Sequence, residues 1–118
     1  ILVAEGNKIN QIVILKFLKN LGVDADLAEN GKQAVAMNSA NSYDLIFMDY
    51  HMPKLDGVEA TKKIREKFSK KPIIVSLSAS VMKDEVERYL KSGMNDSISK
   101  PISQADLISI FNKYFPKA

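Results

Sequence analysis

Leu45-Ile46-Phe47-Met48 is a run of four apolar residues that ends at a single acidic residue, Asp49. Apolar residues without alternation are typical of a strand that is buried on both faces, as in a parallel sheet covered by helices. Similar apolar runs occur near the start of the chain and in its second half. The chain is therefore expected to build its core on a parallel sheet, with polar residues placed where the strands end.

Helical and strand patterns alternate along the rest of the chain. Residues 8–21 carry apolar side chains three and four positions apart, which is the period of a helix packed on a core, and Gly22 is a typical stop. The predicted strands are residues 1–4, 24–28, 45–48, 73–77 and 97–99, and the predicted helices are residues 8–21, 32–39, 58–68, 81–92 and 104–114. This alternation predicts an α/β fold whose parallel sheet is covered by helices on both faces.

The same periodicity predicts which helical side chains face the core. The first helix has a broad apolar face, and the later helices have narrower stripes. The predicted inward residues are Ile9, Val13, Phe17, Ile14, Leu18 and Leu21 on the first helix, Thr61, Ile64 and Phe68 on the third, Met82, Val86, Tyr89 and Leu90 on the fourth, and Leu107, Ile110, Phe111 and Tyr114 on the last.

Composition excludes several classes of protein. No cysteine is present, which rules out disulfides and zinc–thiolate sites. The net charge of +3 comes from scattered lysines without interleaved aromatics, so nucleic acid is not an expected partner. No apolar run is long enough to span a bilayer, and no membrane contact is expected. We expect one domain over residues 1–118, and its start at Ile1, inside an apolar strand pattern, is typical of a segment from a longer polypeptide.

Polar residues follow four of the predicted strands. Glu5 follows the first strand and Asp49 the third, while Ser78 follows the fourth and Lys100 the fifth. Ligands of an open parallel sheet bind beyond the carboxyl ends of the strands, so these four side chains are expected to meet at one edge. Each alone has an ordinary explanation as a strand end, a cap or a solvated lysine. Their convergence predicts a functional site.

These four side chains have the chemistry required for phosphoryl transfer. Carboxylates without a histidine–cysteine ligand set favour a hard cation such as Mg²⁺. A carboxylate can act as the nucleophile, while the cation and an ammonium group neutralise the oxygens that are transferred and a hydroxyl donates a hydrogen bond to one of them. Asp49 is the predicted nucleophile.

The chain contains a series of short sequence motifs. They are Ile1-Leu2-Val3-Ala4-Glu5 with Asn7, Ala28-Glu29-Asn30-Gly31, residues 43–49, Met52-Pro53, Asp56-Gly57, Pro72-Ile73-Ile74, Ser78-Ala79, Ser92-Gly93-Met94 and Ser99-Lys100-Pro101-Ile102. With this order and spacing, essentially the whole chain resembles the response-regulator receiver domains of two-component and phosphorelay signalling. Residues 7–11 and 93–96 are similar to receivers within hybrid sensor histidine kinases. The resemblance implies a flavodoxin-like, doubly wound (βα)5 sandwich with strand order 2-1-3-4-5.

The resemblance also implies a role for each site residue. Asp49 would accept a phosphoryl group, Ser78 would hydrogen-bond one of its oxygens, and Lys100 would pair with it. The Lys100-Pro101 bond would be cis, which fixes the direction of the lysine. Mg²⁺ would bind Glu5, Asp49 and the main-chain carbonyl of His51.

Partners and location follow from the same resemblance. The phosphoryl group would come from the phosphohistidine of a histidine kinase or a histidine phosphotransfer domain, and the domain would catalyse its own aspartyl phosphorylation. The parent chain would be a hybrid histidine kinase. The expected location is the cytoplasm, including the cytoplasmic part of a membrane-bound sensor kinase.

Two positions depart from the receiver pattern. Gly6 stands where the family usually has a second acidic residue that binds Mg²⁺, so weaker Mg²⁺ binding and slower phosphorylation are expected. Ser97 stands where the family usually has a tyrosine or phenylalanine that swings inward when the hydroxyl at the position of Ser78 engages phosphate. Because Gly6 replaces a metal-binding acid, a degenerate receiver that only docks other proteins is the open alternative. A dehalogenase-type enzyme is disfavoured because His51 replaces its second aspartate.

Overall fold

The computed structural model describes residues 1–41, 43–49, 52, 56–67, 72–78 and 83–115. The strands are β1 (Leu2–Ala4), β2 (Asp26–Ala28), β3 (Leu45–Asp49), β4 (Ile73–Ser78) and β5 (Asp96–Ser99). The helices are α1 (Lys8–Asn20), α2 (Gly31–Asn41), α3 (Gly57–Lys67), α4 (Lys83–Ser92) and α5 (Gln104–Tyr114). Within the described residues, no helix is both long and apolar enough to cross a bilayer.

The five strands form one parallel sheet in the order β2-β1-β3-β4-β5. This confirms the predicted doubly wound α/β fold and its strand order. Ala4 of β1 pairs with Ala28 and Met48, and Asp49 of β3 pairs with Leu77 of β4. The carboxyl ends of the central strands therefore lie side by side at one edge of the sheet.

Two hydrophobic layers cover the two faces of the sheet. Successive residues of a strand point to opposite faces, so each buried strand contributes to both layers. One layer joins Leu2, Ile46, Met48 and Ile74 to Ala34 of α2 and to Val58, Ala60 and Ile64 of α3. The other joins Val3, Leu45, Phe47, Val75 and Leu77 to Ile14 and Leu18 of α1 and to Leu107 and Ile110 of α5. The predicted inward stripe of α5 is confirmed, with Phe111 and Tyr114 partly buried at its border.

The broad apolar face predicted for α1 is only partly buried. Ile9 is 72% exposed, Ile12 67% and Val13 37%. The buried residues of α1 are Gln11, Ile14 and Leu18, which recur at three- and four-residue spacing. At 100° per residue, only this narrow stripe can face the flat sheet, and the isoleucine side of the helix points away from it. The prediction that Ile9 and Val13 are buried was wrong.

Other differences from the predicted elements lie at their ends. β2 begins at Asp26, since an edge strand pairs only as far as its three-residue partner β1 allows. α2 begins at Gly31, because Asn30 Oδ1 accepts a hydrogen bond from the Gln33 N–H and caps the helix there.

Leu90 of α4 is 50% exposed, so its predicted inward position was wrong. The predictions for Phe68 and Met82, and for the side chains of Val86 and Tyr89, lie outside the described residues.

Each edge strand begins with an aspartate held by a tyrosine. Asp26 of β2 accepts a hydrogen bond from Tyr43 Oη. Asp96 of β5 accepts hydrogen bonds from Lys113 Nζ at 2.8 Å and from Tyr114 Oη at 3.1 Å. Burial raises the pKa of Asp96, but the hydrogen bonds from Lys113, a main-chain N–H and Tyr114 outweigh burial and lower it.

Candidate functional site

The predicted site residues lie at the carboxyl ends of the strands. Glu5 directly follows β1, Asp49 is the last residue of β3, and Ser78 is the last residue of β4. Glu5 is 0% exposed, and Asp49 and Ser78 are each 5% exposed. Lys100 follows β5, and its side chain is 20% exposed. The structure thus brings all four residues to one edge, with Asp49 and Ser78 inside the strands themselves.

Lys100 bridges two carboxylates. Its Nζ donates a hydrogen bond to Asp49 Oδ1 at 3.2 Å and lies 3.2 Å from Glu5 Oε2. Its main-chain N–H donates to the carbonyl of Ser78 at 2.8 Å, which ties the lysine to the end of β4. The Lys100-Pro101 peptide bond is cis, as the resemblance implies. Lys100 therefore supplies positive charge to a pair of acids that have almost no contact with water.

One ammonium group does not neutralise both acids. Burial, followed by the hydrogen bond and the negative charge of Glu5, raises the pKa of Asp49 from 3.8 to about 7, although Lys100 acts in the opposite direction. A carboxylate pair with this imbalance favours a further cation, because added positive charge stabilises the ionised form of both groups.

One carboxylate oxygen of Glu5 faces Lys100 without a hydrogen bond from the described residues, which leaves it able to bind such a cation. Its Oε1 accepts hydrogen bonds from the Asn7 N–H at 3.1 Å and from Asn10 Nδ2 at 3.5 Å. Its buried Oε2 has no hydrogen-bond donor among the described residues and lies in ion-pair contact with Lys100 Nζ at 3.2 Å. Oxygen ligands of this kind suit Mg²⁺, so the residues present fit the ion that the sequence predicts.

The set of carboxylate ligands is small. Among the described residues, no group of three or more His, Cys, Asp or Glu side chains could hold a metal ion. Glu5 and Asp49 are two carboxylates, and Gly6 adds none. The carbonyl of His51, the third predicted ligand, lies outside the described residues. A cation here would keep much of its water, as Mg²⁺ commonly does.

Two residues that sequence reasoning missed support the site. A Cβ on Gly57, the first residue of α3, would lie 2.2 Å from the Asp49 carbonyl oxygen, so only glycine allows this approach. Gln11 is buried in α1, and its Nε2 donates to the Glu5 carbonyl at 2.7 Å. The signals available were the Asp56-Gly57 pair at a helix start and a lone amide in an apolar helical stretch.

The second predicted departure changes the packing between β4 and β5. Ser97 pairs in register with Ser76. Two small hydroxyl residues therefore face each other where the resemblance implies a large aromatic ring. Ser76 is fully buried, and its Oγ has no hydrogen-bond partner among the residues that the structure describes. An unpartnered buried hydroxyl is costly, so Ser76 is a weak point in the packing of β4.

A strand-end aspartate with a lysine, a second acid and a serine on the same edge of a doubly wound sheet defines a class of phosphoacceptor domains. The family described as the response regulator receiver domain matches residues 1–112. The chain therefore belongs to the response regulator receiver domain family. It is a receiver of two-component phosphorelay signalling.

Individual relatives agree with this assignment. Hybrid signal transduction histidine kinase L of Dictyostelium discoideum is 36% identical over 121 residues, which cover 97% of this chain and 7% of the kinase. The receiver domain of sensor histidine kinase PA1611 from Pseudomonas aeruginosa, crystallised with a magnesium ion in its active-site cleft, is 36% identical with a TM-score of 0.90, covering 98% of this chain and 96% of that one.

A third relative was solved with a partner. The receiver domain of the response regulator Ssk1, in a co-crystal with the histidine phosphotransfer protein Ypd1 of Saccharomyces cerevisiae, is 35% identical with a TM-score of 0.86. The alignment covers 96% of this chain and 86% of that one. By contrast, the chain spans only 4% to 17% of the length of curated relatives such as the Dictyostelium hybrid kinases and two-component system protein A of Emericella nidulans.

Proposed function

We propose that Asp49 accepts a phosphoryl group from a phosphohistidine of a histidine kinase or a histidine phosphotransfer domain. The observation that carries this proposal is the placement of the buried Asp49 carboxylate at the end of β3, 3.2 Å from Lys100 Nζ and beside Glu5. A carboxylate kept from water between a cation and a second acid has the setting of a nucleophile rather than of a surface residue.

The transfer itself is a single displacement. An Asp49 carboxylate oxygen forms a bond to phosphorus while the bond from phosphorus to the histidine nitrogen breaks, and the electron pair of that bond stays on the imidazole. Lys100 neutralises a phosphoryl oxygen, and the Ser78 hydroxyl, one strand away, donates a hydrogen bond to another. Mg²⁺, held by Glu5, Asp49 and the carbonyl of His51, would supply the remaining positive charge.

Gly6 should lower the affinity for Mg²⁺ without removing the site. The described residues offer two carboxylates, and a third at position 6 would replace one metal-bound water. Mg²⁺ titration monitored by amide NMR signals tests this in the native chain and in Gly6→Asp. The variant should bind Mg²⁺ at least about tenfold more tightly. Equal affinity in the two proteins would show that Gly6 does not limit the site.

The partner surface we propose is the outward side of α1, made of Ile9, Ile12 and Val13 with Lys8 and Lys16 beside them. Its three apolar side chains are exposed, and both lysines are exposed as well. A pocket of about 110 Å³ continues from this surface to the site, lined by Asn10, Val13, Lys100, Pro101 and Ile102. The co-crystal of a related receiver with a histidine phosphotransfer protein supports a partner of this kind.

Substitution of Ile12 tests the surface. Ile12→Asp should slow transfer from a phosphorylated histidine phosphotransfer domain about tenfold, because a charged group would replace an apolar side chain that the partner covers on docking. Phosphorylation by acetyl phosphate should be unchanged. Leu90→Asp is a matched control, since Leu90 is 50% exposed on α4. Equal slowing by the two variants would place docking elsewhere.

A docking module without phosphorylation is the second candidate, favoured by Gly6 and by Ser97. Incubation with acetyl phosphate and Mg²⁺ followed by intact-mass measurement separates the two. The proposed function requires one added phosphoryl group in the native chain and none in Asp49→Asn. An adduct that forms only in Gly6→Asp would favour the docking module. The cytoplasmic location, the parent hybrid kinase and the single domain over residues 1–118 stay predictions.

A further inference from the structure

Glu5 is fixed by contacts with three different parts of the fold. Its main-chain N–H donates to the Ala28 carbonyl of β2 at 3.0 Å. Its main-chain carbonyl accepts from Gln11 Nε2 at 2.7 Å. Its Oε1 accepts from the Asn7 N–H and from Asn10 Nδ2. Its Oε2 lies 3.2 Å from Lys100 Nζ and accepts no hydrogen bond from the part of the chain that the structure describes.

Gln11 has an unusual position for its chemistry. It is one of three buried residues of α1, beside Ile14 and Leu18. A buried amide is costly unless it is hydrogen-bonded, so a leucine or methionine would pack here at lower cost if packing were the only requirement. The bond it makes goes to the residue at which the chain leaves β1 and enters the site.

We infer that Gln11 is a positioning residue for the cation site and acts through Glu5, with Asn10 in a lesser supporting role. The amide holds the Glu5 main chain, Asn7 and Asn10 occupy Oε1, and Oε2 is thereby directed toward Lys100 and the incoming cation. This inference rests on the proposed function, since it assigns the orientation of a ligand at that site. The contribution matters more in this chain because Gly6 offers no second carboxylate at the end of β1.

A purely structural role for Gln11 makes a different prediction. Loss of a structural hydrogen bond lowers the free energy of unfolding and leaves cation affinity unchanged. Loss of a group that orients a metal ligand typically costs ten- to a hundredfold in metal affinity. The two roles are separated by measuring cation affinity and stability on the same variants.

The test compares Gln11→Met with Asn38→Ala. Methionine is similar to glutamine in length but cannot donate. Asn38 is also a buried amide, 1% exposed, but it accepts from the Tyr43 N–H at the opposite end of the sheet. Mg²⁺ affinity from NMR titration should fall about tenfold in Gln11→Met and stay within about twofold in Asn38→Ala at a comparable loss of stability. Equal affinity in native chain and Gln11→Met would overturn the inference.

Asn10→Ala keeps the test decisive if Gln11→Met does not fold. Asn10 is only partly buried, and its bond to Oε1 is long, so we expect a two- to threefold loss of Mg²⁺ affinity, smaller than the effect at Gln11. No loss in Asn10→Ala would then contradict the inference.

A metal-free readout separates this inference from the proposed function. The side-chain carboxyl ¹³C signal of Glu5 in EDTA should move in Gln11→Met and stay in place in Asn38→Ala. If the native chain binds no Mg²⁺ but the signal moves as expected, the metal role in the proposed function fails and the positioning role stands. An unmoved signal refutes the positioning role alone.

Discussion

Replacing Asp49 with asparagine should stabilise the metal-free protein, because the change removes one of two buried carboxylates that share a single lysine. Burial and Glu5 raise the pKa of Asp49 from 3.8 to about 7. A shift of that size corresponds to at most about 4 kcal/mol. This net shift already includes the attraction of Lys100, and asparagine has the volume of aspartate, so we expect the free energy of unfolding to rise by about 1–3 kcal/mol.

This gain depends on pH in a defined direction. Below about pH 4 the folded and unfolded states both hold the proton, and Asp49 costs no stability. As the pH rises from about 4 to 7, the unfolded chain ionises first, so the stability of the native chain falls. The full loss of stability caused by the ionised Asp49 carboxylate is present above about pH 7. Native chain and Asp49→Asn should therefore be equally stable in acid and should diverge toward alkaline pH.

Urea unfolding in EDTA measures the difference at about pH 4 and about pH 8. Asp24→Asn is the control, since Asp24 is exposed and its change should stay within about 0.5 kcal/mol. Saturating Mg²⁺ should narrow the gap at the higher pH, because the ion binds the native carboxylate pair and stabilises only that protein. The reasoning would be refuted if Asp49→Asn were no more stable than the native chain at the higher pH. It would also be refuted if the difference in free energy of unfolding were the same at both pH values.

Three other substitutions test contacts elsewhere. Gly57→Ala should lower the free energy of unfolding in urea by about 3 kcal/mol or more, because its Cβ would lie 2.2 Å from the Asp49 carbonyl oxygen. Gly22→Ala is the control: Gly22 has a φ of 78° and open space around it, so this change should cost about 1 kcal/mol. Equal costs would show that α3 shifts freely. Ser76→Ala should stabilise the protein by about 1 kcal/mol by removing an unpartnered hydroxyl, and a lower thermal midpoint would show that the hydroxyl is bonded. Asp96→Asn should lower the free energy of unfolding at neutral pH but not in strong acid. A carboxyl with a lowered folded-state pKa stabilises the fold above its unfolded pKa, and this effect is lost as the pH falls through the folded-state pKa. A loss of stability that persists in acid would contradict the ion pair of Asp96.

The position of the site was predictable because it depends on a rule of topology. Parallel strands end at a common edge, so polar residues after apolar runs must meet there. Asp49, Glu5, Ser78 and Lys100 could be found in this way. Strand order followed from the motifs rather than from periodicity, which does not specify the neighbours of a strand.

The errors arose where one pattern fits two arrangements. Ile9 and Val13 are four residues apart, as are Ile14 and Leu18, and hydrophobic periodicity does not distinguish an apolar side that meets the sheet from one that is exposed. Leu90 was misplaced for the same reason. The roles of Gly57 and Gln11 were not predicted because they depend on a close main-chain approach and on a single side-chain hydrogen bond, which hydrophobic periodicity does not record.

The tyrosine-held aspartates at the starts of β2 and β5 bear on how copies of this domain meet one another. An open edge strand offers unpaired N–H and C=O groups to any other strand and is a common route to aggregation. Here the outermost strands are three and four residues long, and each begins with a charged side chain fixed by Tyr43 or by Tyr114. A second chain approaching either edge would meet a fixed polar side chain at the strand start, Asp26 on β2 or the Asp96–Lys113 ion pair on β5. Both edges of the sheet are therefore poor templates for pairing with a strand of a second chain.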